Sequence, residues 1–256
     1  MLAIQRHEEI VRLLEKAGSV RTIDLARRFK VSDETIRNDF EVLEAEGLLV
    51  RVHGGARRPE APRRELPLSE RQTINRAEKS AIAREAVRRI QPGETIFLDA
   101  SSTTLTMTEY LPDIPLRILT NAQNVVMALA DRPRYEIICT GGFWDQRSRS
   151  FVGPLADAAL LRCHVHRMFF SGNAFDLRRG ASEISSHQAA FKEQVLAISD
   201  ETCLLADHTK LGQKSAFFFA PADRIRVLVT DSGADPKFLK AAGKAGLEVE
   251  VGRVGE

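Results

Sequence analysis

Cysteine is scarce in this sequence: Cys139, Cys163 and Cys203 are odd in number, far apart and without a C-x-x-C pair. That excludes a disulfide framework, and thiols set in or near apolar runs are expected to be buried in a reducing compartment. No His/Cys/Asp cluster has metal-ligand spacing and no Ser/His/Asp arrangement can be read, so no metal, no cofactor and no catalytic residue is expected. Long apolar runs are missing as well. None could span a bilayer and none near Met1 resembles a signal peptide's core, so a soluble, cytoplasmic protein without a membrane partner is expected. Charge of one sign is not in excess either. Lys and Arg number 37 against 35 Asp and Glu, a formal +2, which by itself announces no nucleic-acid binding. There is no internal repeat and no low-complexity tract.

What is present begins with residues 22–56, TIDLARRFKVSDETIRNDFEVLEAEGLLVRVHGGA. Helical spacing puts Leu25, Ala26 and Phe29 on one face, and Ile36, Phe40 and Leu43 on one face of the next helix. Lys30-Val31-Ser32 between them is long enough only for a turn, and Ser32 is a good N-cap. Two helices so joined form a helix-turn-helix, whose second helix enters the DNA major groove. Its outward face carries Glu34, Arg37, Asn38 and Glu41, with Thr35 at the flank. Arg37 suits guanine or a phosphate, Asn38 suits adenine, and Ser32 and Thr35 suit phosphates. The helix is expected to stop near Gly47. Residues 48–55 then read as a hairpin wing, with Arg51, His53 and Gly54-Gly55 to lie along the backbone. Residues 6–17 form a bracing helix that buries Ile10, Leu13, Leu14 and Ala17.

The charges of this region are distributed rather than summed. Residues 1–60 hold eleven bases and eleven acids, but Arg21, Arg27, Arg28, Lys30, Arg37, Arg51, Arg57 and Arg58 surround the turn, the recognition helix and the wing. Binding to DNA is therefore expected to be salt-sensitive. The candidate DNA contacts are Arg21, Thr22, Ser32, Thr35, Arg37, Asn38, Arg51, His53 and Gly54. A small helical domain that mediates only protein contacts is the bland alternative.

SDETIRNDFEVLEAEGLLVRVHGGA resembles the winged helix-turn-helix of the DeoR family of bacterial transcriptional regulators. Ser32, Thr35, Ile36, Arg37, Asp39, Leu43, Gly47 and the His53-Gly54-Gly55-Ala56 run stand where that family's pattern has them. The resemblance implies a head that binds a double-stranded DNA operator.

Residues 57–67, RRPEAPRRELP, are rich in proline and arginine and lack periodicity; they read as a hinge, with phosphate contact as the second reading. Domains are expected at 1–57 and 75–256, with a linker over 58–74. Beyond Leu68, apolar runs at 95–99, 116–121, 135–142, 168–173, 202–207 and 226–231 alternate with helical patterns at 76–90, 104–110, 123–130, 155–161, 188–199 and 236–243. Such alternation predicts a mostly parallel α/β sheet buried on both faces.

The predicted strand ends are polar: Asp99 to Thr104, Thr120-Asn121, Thr140-Gly141-Gly142, Ser171-Gly172-Asn173 and Asp207. In an open α/β sheet these ends converge on the ligand-binding rim. Ser101-Ser102-Thr103-Thr104 opens a helix after a strand, so it either cradles an anion or caps the helix. Gly141-Gly142 is either a close approach to a ligand or a plain turn. Lys192 with Asp207-His208-Thr209-Lys210 could hold sugar hydroxyls and a phosphate, or form structural ion pairs. His187 reads as a polar helix-face residue.

The DeoR resemblance extends through D-A-S-S-T-T, T-N-A-Q-N-V, G-G-F-W, F-V-G-P-L-A, S-G-N, F-K and L-L-A-D-H-T-K-L-G. It implies an effector domain whose fold resembles sugar-phosphate isomerases and which binds a phosphorylated sugar or related metabolite. The positions it carries over are Asp99, Ser102, Thr103, Thr120, Asn121, Gly141, Gly142, Gly172, Lys192, Asp207 and Lys210, and Ser101 joins them from the same loop. Three departures stand out: Ser101 where the family usually has glycine, Gln188 where it often has glutamate, and Asp145 where many members have arginine, with Arg147 close by. The function implied is a homo-oligomeric repressor, dimer or tetramer, of a carbohydrate-utilisation operon. The alternative is a sugar-phosphate isomerase with a DNA-binding appendage. Gln188 cannot serve it as a base, though Asp99, Glu183 or Asp207 could.

Overall fold

The computed structural model describes residues 3–45, 48–52, 54–57 and 66–255. Contacts divide the chain into two units, Met1–Arg63 and Arg64–Glu256.

The first unit runs α1 (Ala3–Ala17), β1 (Ser19–Arg21), α2 (Thr22–Phe29), α3 (Asp33–Ala45), β2 (Val50–Val52) and β3 (Gly55–Arg57). The apolar stripes meet as their spacing demands: Ile10 and Leu14 of α1, Leu25 and Ala26 of α2, and Ile36, Phe40 and Leu43 of α3 close one core with Leu49 and Ala56. The wing has a third strand, because β1 pairs antiparallel with β3 and gives the order β1-β3-β2. Three residues are too few to show a period, which is why this strand escapes sequence reading. Gly55 is obligatory there, since a Cβ on it would lie 2.1 Å from the Val20 carbonyl oxygen. Gly47, the expected helix stop, lies outside the described residues, as do His53 and residues 58–65 of the expected linker.

The second unit opens with α4 (Leu68–Thr73) and α5 (Arg76–Ala86). The stretch expected as linker through residue 74 thus ends in a helix, anchored by buried Leu68. There follow β4 (Thr95–Leu98), α6 (Ser102–Met107), β5 (Leu116–Thr120), α7 (Gln123–Leu129), β6 (Tyr135–Cys139), the hairpin β7 (Phe143–Asp145) and β8 (Ser150–Val152), and α8 (Pro154–Leu160). The chain continues with β9 (Val165–Phe170), β10 (Ala174–Asp176), β11 (Gly180–Glu183), α9 (Ser186–Ala197), β12 (Ser199–Leu205), β13 (Phe217–Ala220), β14 (Val227–Asp231), α10 (Pro236–Lys244) and β15 (Glu248–Gly252).

Seven strands form one parallel sheet in the order β15-β14-β12-β9-β4-β5-β6. Both faces are covered. Phe97, Leu119, Met168, Phe170, Leu204 and Leu228 enter one apolar cluster, and their neighbours Ile96, Leu98, Ile118, Phe169, Cys203, Leu205 and Val229 enter the other. That double burial is why these strands read as continuous apolar runs. The edge strand β15 reads Glu-Val-Glu-Val-Gly, with only Gly252 buried, so it lacks the signal that marked the rest. A small antiparallel sheet, β10-β11-β13, was likewise not legible. The expectation of three buried thiols is corrected: Cys203 is buried, Cys163 half-buried, and Cys139 exposed, because Cys139 ends β6, the sheet's edge strand.

Candidate functional site

In the first unit the turn before α3 is built by backbone closure. Lys30 takes a left-handed conformation (φ 55) after α2, and the Val31 amide donates to the Ala26 carbonyl at 3.1 Å. The Ser32 hydroxyl accepts the Thr35 amide at 3.1 Å and lies 2.8 Å from the Thr35 hydroxyl. That N-cap contributes about 1 kcal/mol, and it means that a phosphate at Ser32 or Thr35 competes with their mutual bond.

Glu34, Arg37, Asn38 and Glu41 are exposed on the side of α3 away from Ile36, Phe40 and Leu43. Arg37 pairs with Glu34 at 3.3 Å, both largely in solvent. An exposed pair of that kind stabilises by about 0–1 kcal/mol, so a guanine edge or a phosphate displaces it at small cost. Arg51 is committed to α3 twice, by its guanidinium to Glu41 at 2.7 Å and by its amide to Glu44 at 2.9 Å. Arg21 and Gly54 are exposed, while Thr22 is buried and its amide donates to the Gly54 carbonyl at 3.0 Å. Thr22 therefore ties the start of α2 to the wing instead of facing outward.

Asp39 was legible as a motif position, but its role was not. It is buried, and Arg6 reaches it through Nε at 2.5 Å and Nη2 at 2.8 Å, with His7 Nε2 at 2.8 Å. Burial pushes its carboxyl up, yet the hydrogen bonds from Arg6 and His7 outweigh that and hold it below the usual carboxylate value. A carboxylate among charged helix residues reads as solvated, so only the fold could reveal this brace between α1 and α3.

In the second unit the site follows from strand order. From the neighbours β4 and β9 the chain winds outward on opposite sides, to β5 and β6 one way and to β12, β14 and β15 the other. The carboxyl ends of β4 and β9 therefore flank a switch-point crevice, where open α/β sheets place ligands. Asp99 sits at that point. Its Oδ1 accepts the Ser101 amide at 3.0 Å and the Thr104 hydroxyl at 2.7 Å; its Oδ2 accepts the Ser171 amide at 3.0 Å and Lys192 Nζ at 2.7 Å.

Lys192, on α9, also donates to Glu183 Oε1 at 2.6 Å and the Ser171 carbonyl at 2.7 Å. Three acceptors use all three of its protons. Burial drives both charges toward neutrality, but their attraction prevails, so Asp99 lies below and Lys192 above its ordinary value. Asp99 and Lys192, expected as ligand contacts, brace one another, with their hydrogen bonds made within the protein.

The loop after β4 caps its helix. Ser101 Oγ accepts the Thr104 amide at 3.2 Å, and α6 is only six residues long, too short to sum much dipole. Thr120 is a strut, donating to the Leu98 carbonyl at 2.7 Å and accepting the Ala122 amide at 3.0 Å. Ser102 is buried at the start of α6. Gly142 and Gly172 are small for the chain's own sake: a Cβ on Gly142 would lie 2.9 Å from Ala156 Cβ and Val152 O, and one on Gly172 3.0 Å from Ser182 O. Gly141 meets no such neighbour but has φ 65.

Other groups retain capacity. Lys210 Nζ donates to Ser171 Oγ at 2.9 Å and stands 3.9 Å from Asp207, beyond hydrogen-bond reach. Burial lowers its pKa, against the attraction of Asp207 and Glu183. Buried Thr103 Oγ1 and Asn121 Oδ1 have no partner among the described residues, although Asn121 Nδ2 donates to the Phe151 carbonyl at 3.0 Å. Buried polar atoms of that kind are costly unless something satisfies them. Two departures from the family pattern meet in space: Gln188 Nε2 donates to Ser150 Oγ at 2.8 Å, to Ser148 Oγ at 3.0 Å and, at 3.5 Å, to Asp145.

Two groups escaped the sequence altogether. Asn75, between α4 and α5, donates to Asp207 Oδ1 at 3.1 Å. Buried Lys79 donates to the Arg71 and Ile74 carbonyls, and burial with repulsion from Lys210 brings its pKa down to about 8. Among the described residues no His/Cys/Asp/Glu group could hold a metal, and no helix is long and apolar enough to cross a membrane.

A three-helix winged head with an exposed recognition face, on one chain with an α/β unit that carries a polar switch-point crevice, defines a ligand-sensing DNA-binding regulator. Comparison with known families agrees. Residues 74–232 match the DeoR C terminal sensor domain and residues 6–61 the DeoR-like helix-turn-helix domain. The chain belongs to the DeoR family of transcriptional regulators. It is 39% identical over 241 residues to an uncharacterized HTH-type transcriptional regulator, YulB, of Bacillus subtilis, covering 94% of this chain and 93% of that one. It is 32% identical over 240 residues to a lactose phosphotransferase system repressor of Streptococcus mutans, covering 92% and 95%. A solved ribose 5-phosphate isomerase A of Methanocaldococcus jannaschii aligns at 15% identity and a TM-score of 0.39, over 52% of this chain and 53% of that one, too loosely to bear on chemistry. Membership makes this chain a regulator and not an enzyme, which removes the isomerase reading.

Proposed function

We propose that the protein represses a carbohydrate-utilisation operon in the cytoplasm and leaves its operator when a phosphorylated sugar binds the second unit. The observation that carries this is the crevice at the switch point. Along that row of strand ends Lys210, after β12, keeps donor capacity for an anion, and the buried Thr103 and Asn121 oxygens, after β4 and β5, have no partner among the described residues. A phosphate pairs with Lys210, while sugar hydroxyls bond the Asp207 carboxylate at the end of the same strand. Asp99, Lys192 and Glu183 hold these groups in place by joining the ends of β4 and β9 to α9.

In the head, Arg37 and Asn38 read bases in the major groove; Arg21, Ser32, Thr35, Arg51, His53 and Gly54 contact phosphates, and Thr22 seats the wing. A dimer or tetramer sets two recognition helices on half-sites about one helical turn apart. The sugar releases DNA only by binding the two states of the oligomer unequally.

The test is fluorescence anisotropy on DNA from upstream of the protein's own gene, titrated with phosphorylated and free sugars. A phosphorylated sugar is expected to weaken operator binding, with the free sugar inert and Arg37→Ala weakening binding about ten- to a hundredfold at the outset. Release by free sugars alone, or operator affinity unchanged in Arg37→Ala, overturns the reading.

A further inference from the structure

The turn that follows β12 carries one more side chain arranged to meet a ligand. His208 opens a single 3-10 turn, His208–Lys210, and is gripped from the end of the neighbouring strand β14. Asp231 Oδ1 accepts the His208 amide at 2.8 Å, and Asp231 Oδ2 lies 2.8 Å from the ring's Nδ1. The same Oδ2 accepts the Gly233 amide at 2.9 Å. Gly233 closes the ring in from another side, since a Cβ there would lie 2.7 Å from Nδ1. Main chain, carboxylate and glycine together leave the imidazole one orientation.

The chemistry follows from that grip. A carboxylate oxygen accepts, so the Nδ1–H is directed to Asp231 and the ring's Nε2 is the nitrogen left to a ligand. The Asp231 side chain is 1% exposed and that of His208 is 36% exposed. The Nδ1 edge is therefore sunk, and the edge left to solvent is the one bearing Nε2.

Placement adds the second half of the argument. The strands neighbour one another in the order β14-β12-β9. From the end of β12, Lys210 reaches to Ser171 at the end of β9, whereas His208 turns to Asp231 at the end of β14. Two strand spacings, about 10 Å, separate those two ends, which is the span of an extended five- or six-carbon sugar phosphate. We infer that His208 Nε2 hydrogen-bonds a hydroxyl at the far end of the effector whose phosphate Lys210 holds, and so selects among phosphorylated sugars. Asp231 is its positioning residue. The inference rests on the proposed effector reading and adds to it which part of the ligand is discriminated and by what atom.

Calorimetry on the full-length protein tests it. The probes are a panel of five- and six-carbon aldose and ketose phosphates, their deoxy analogues and inorganic phosphate. The wild type is expected to bind one sugar phosphate about tenfold more tightly than the analogue lacking the hydroxyl distal to the phosphate, the worth of one well-made hydrogen bond. His208→Phe is expected to bind both alike, with affinity for inorganic phosphate unchanged. Asp231→Asn is expected to reduce the discrimination in the same direction, and His208→Gln, which keeps an acceptor, to restore part of it. Full discrimination by His208→Phe overturns the inference, and so does an equal loss of inorganic phosphate binding, which marks a structural role. A wild type that binds no member of the panel overturns both this inference and the effector reading; a wild type that binds while His208 proves indifferent overturns this inference alone.

Discussion

The two units place their working side chains in opposite surroundings. In the winged head, Arg37 and Asn38 stand in solvent, and the Arg37–Glu34 pair is worth so little that any phosphate replaces it. In the sensor unit, Asp99 and Lys192 are almost fully buried and every hydrogen bond they can make is made. The difference reflects the partners. A DNA duplex is larger than the head and must find its contacts exposed, with specificity coming from bonds formed on arrival. A small ligand is read by groups already held still, and holding charges still inside a protein requires that they be neutralised by one another.

That contrast can be broken most forcefully at Lys192. Lys192→Met leaves Asp99 and Glu183 facing each other without a cation and is expected to destabilise the sensor unit by about 3–5 kcal/mol. Trp144, the only tryptophan, lies in this unit, so its fluorescence during urea unfolding follows the loss. A midpoint unchanged from the wild type would mean that the buried brace contributes nothing.

Asp39 is the exception within the head, a buried charge among exposed ones. Asp39→Asn is expected to cost about 2–3 kcal/mol through the charged hydrogen bonds it removes. The pH dependence has a definite sign. The folded carboxyl titrates below the unfolded one, so its contribution is complete above about pH 4 and is lost as pH falls through the lower folded value. Helicity at 222 nm followed into acid should show that limb in the wild type and not in the variant.

Arg37→Ala sharpens the other side of the comparison. Operator affinity is expected to fall by about 1–3 kcal/mol, roughly ten- to a hundredfold, while thermal stability changes by less than about 0.5 kcal/mol. A melting point lowered along with affinity would place Arg37 among structural residues. Ser32→Ala is the smallest of the four. It removes the cap of α3 and about 1 kcal/mol of head stability, read as a lower melting temperature of the head with Trp144 fluorescence unmoved.

Legibility divides along the same line. Ile36, Phe40 and Leu43 mark a face by spacing alone, so their opposite face, with Arg37 and Asn38, could be read before any coordinates. The sensor's strands were legible wherever both faces are buried, as at 95–98, and not at β15, where alternate glutamates meet solvent. Its candidate residues were found by position at strand ends, but how they divide their hydrogen bonds could not be read from the chain. Asp99, Lys192, Thr120, Gly142 and Gly172 prove to be braces or packing sites, while the capacity left over belongs to Lys210, Thr103 and Asn121. Asn75 and Lys79 left no mark at all, because a polar residue at a helix start reads as solvated until something covers it.

Periodicity and turn chemistry are local properties of a chain, and they alone determined the recognition helix, its cap, and the run of parallel strands with polar ends. Which of those polar groups spend their bonds on one another was decided by the tertiary structure. Strand order brought Asp99 on β4 beside Ser171 after β9 and put Lys192 from α9 between Asp99 and Glu183. Hydrogen-bond capacity is exhausted by neighbours in space, and no spacing along the sequence records who those neighbours are.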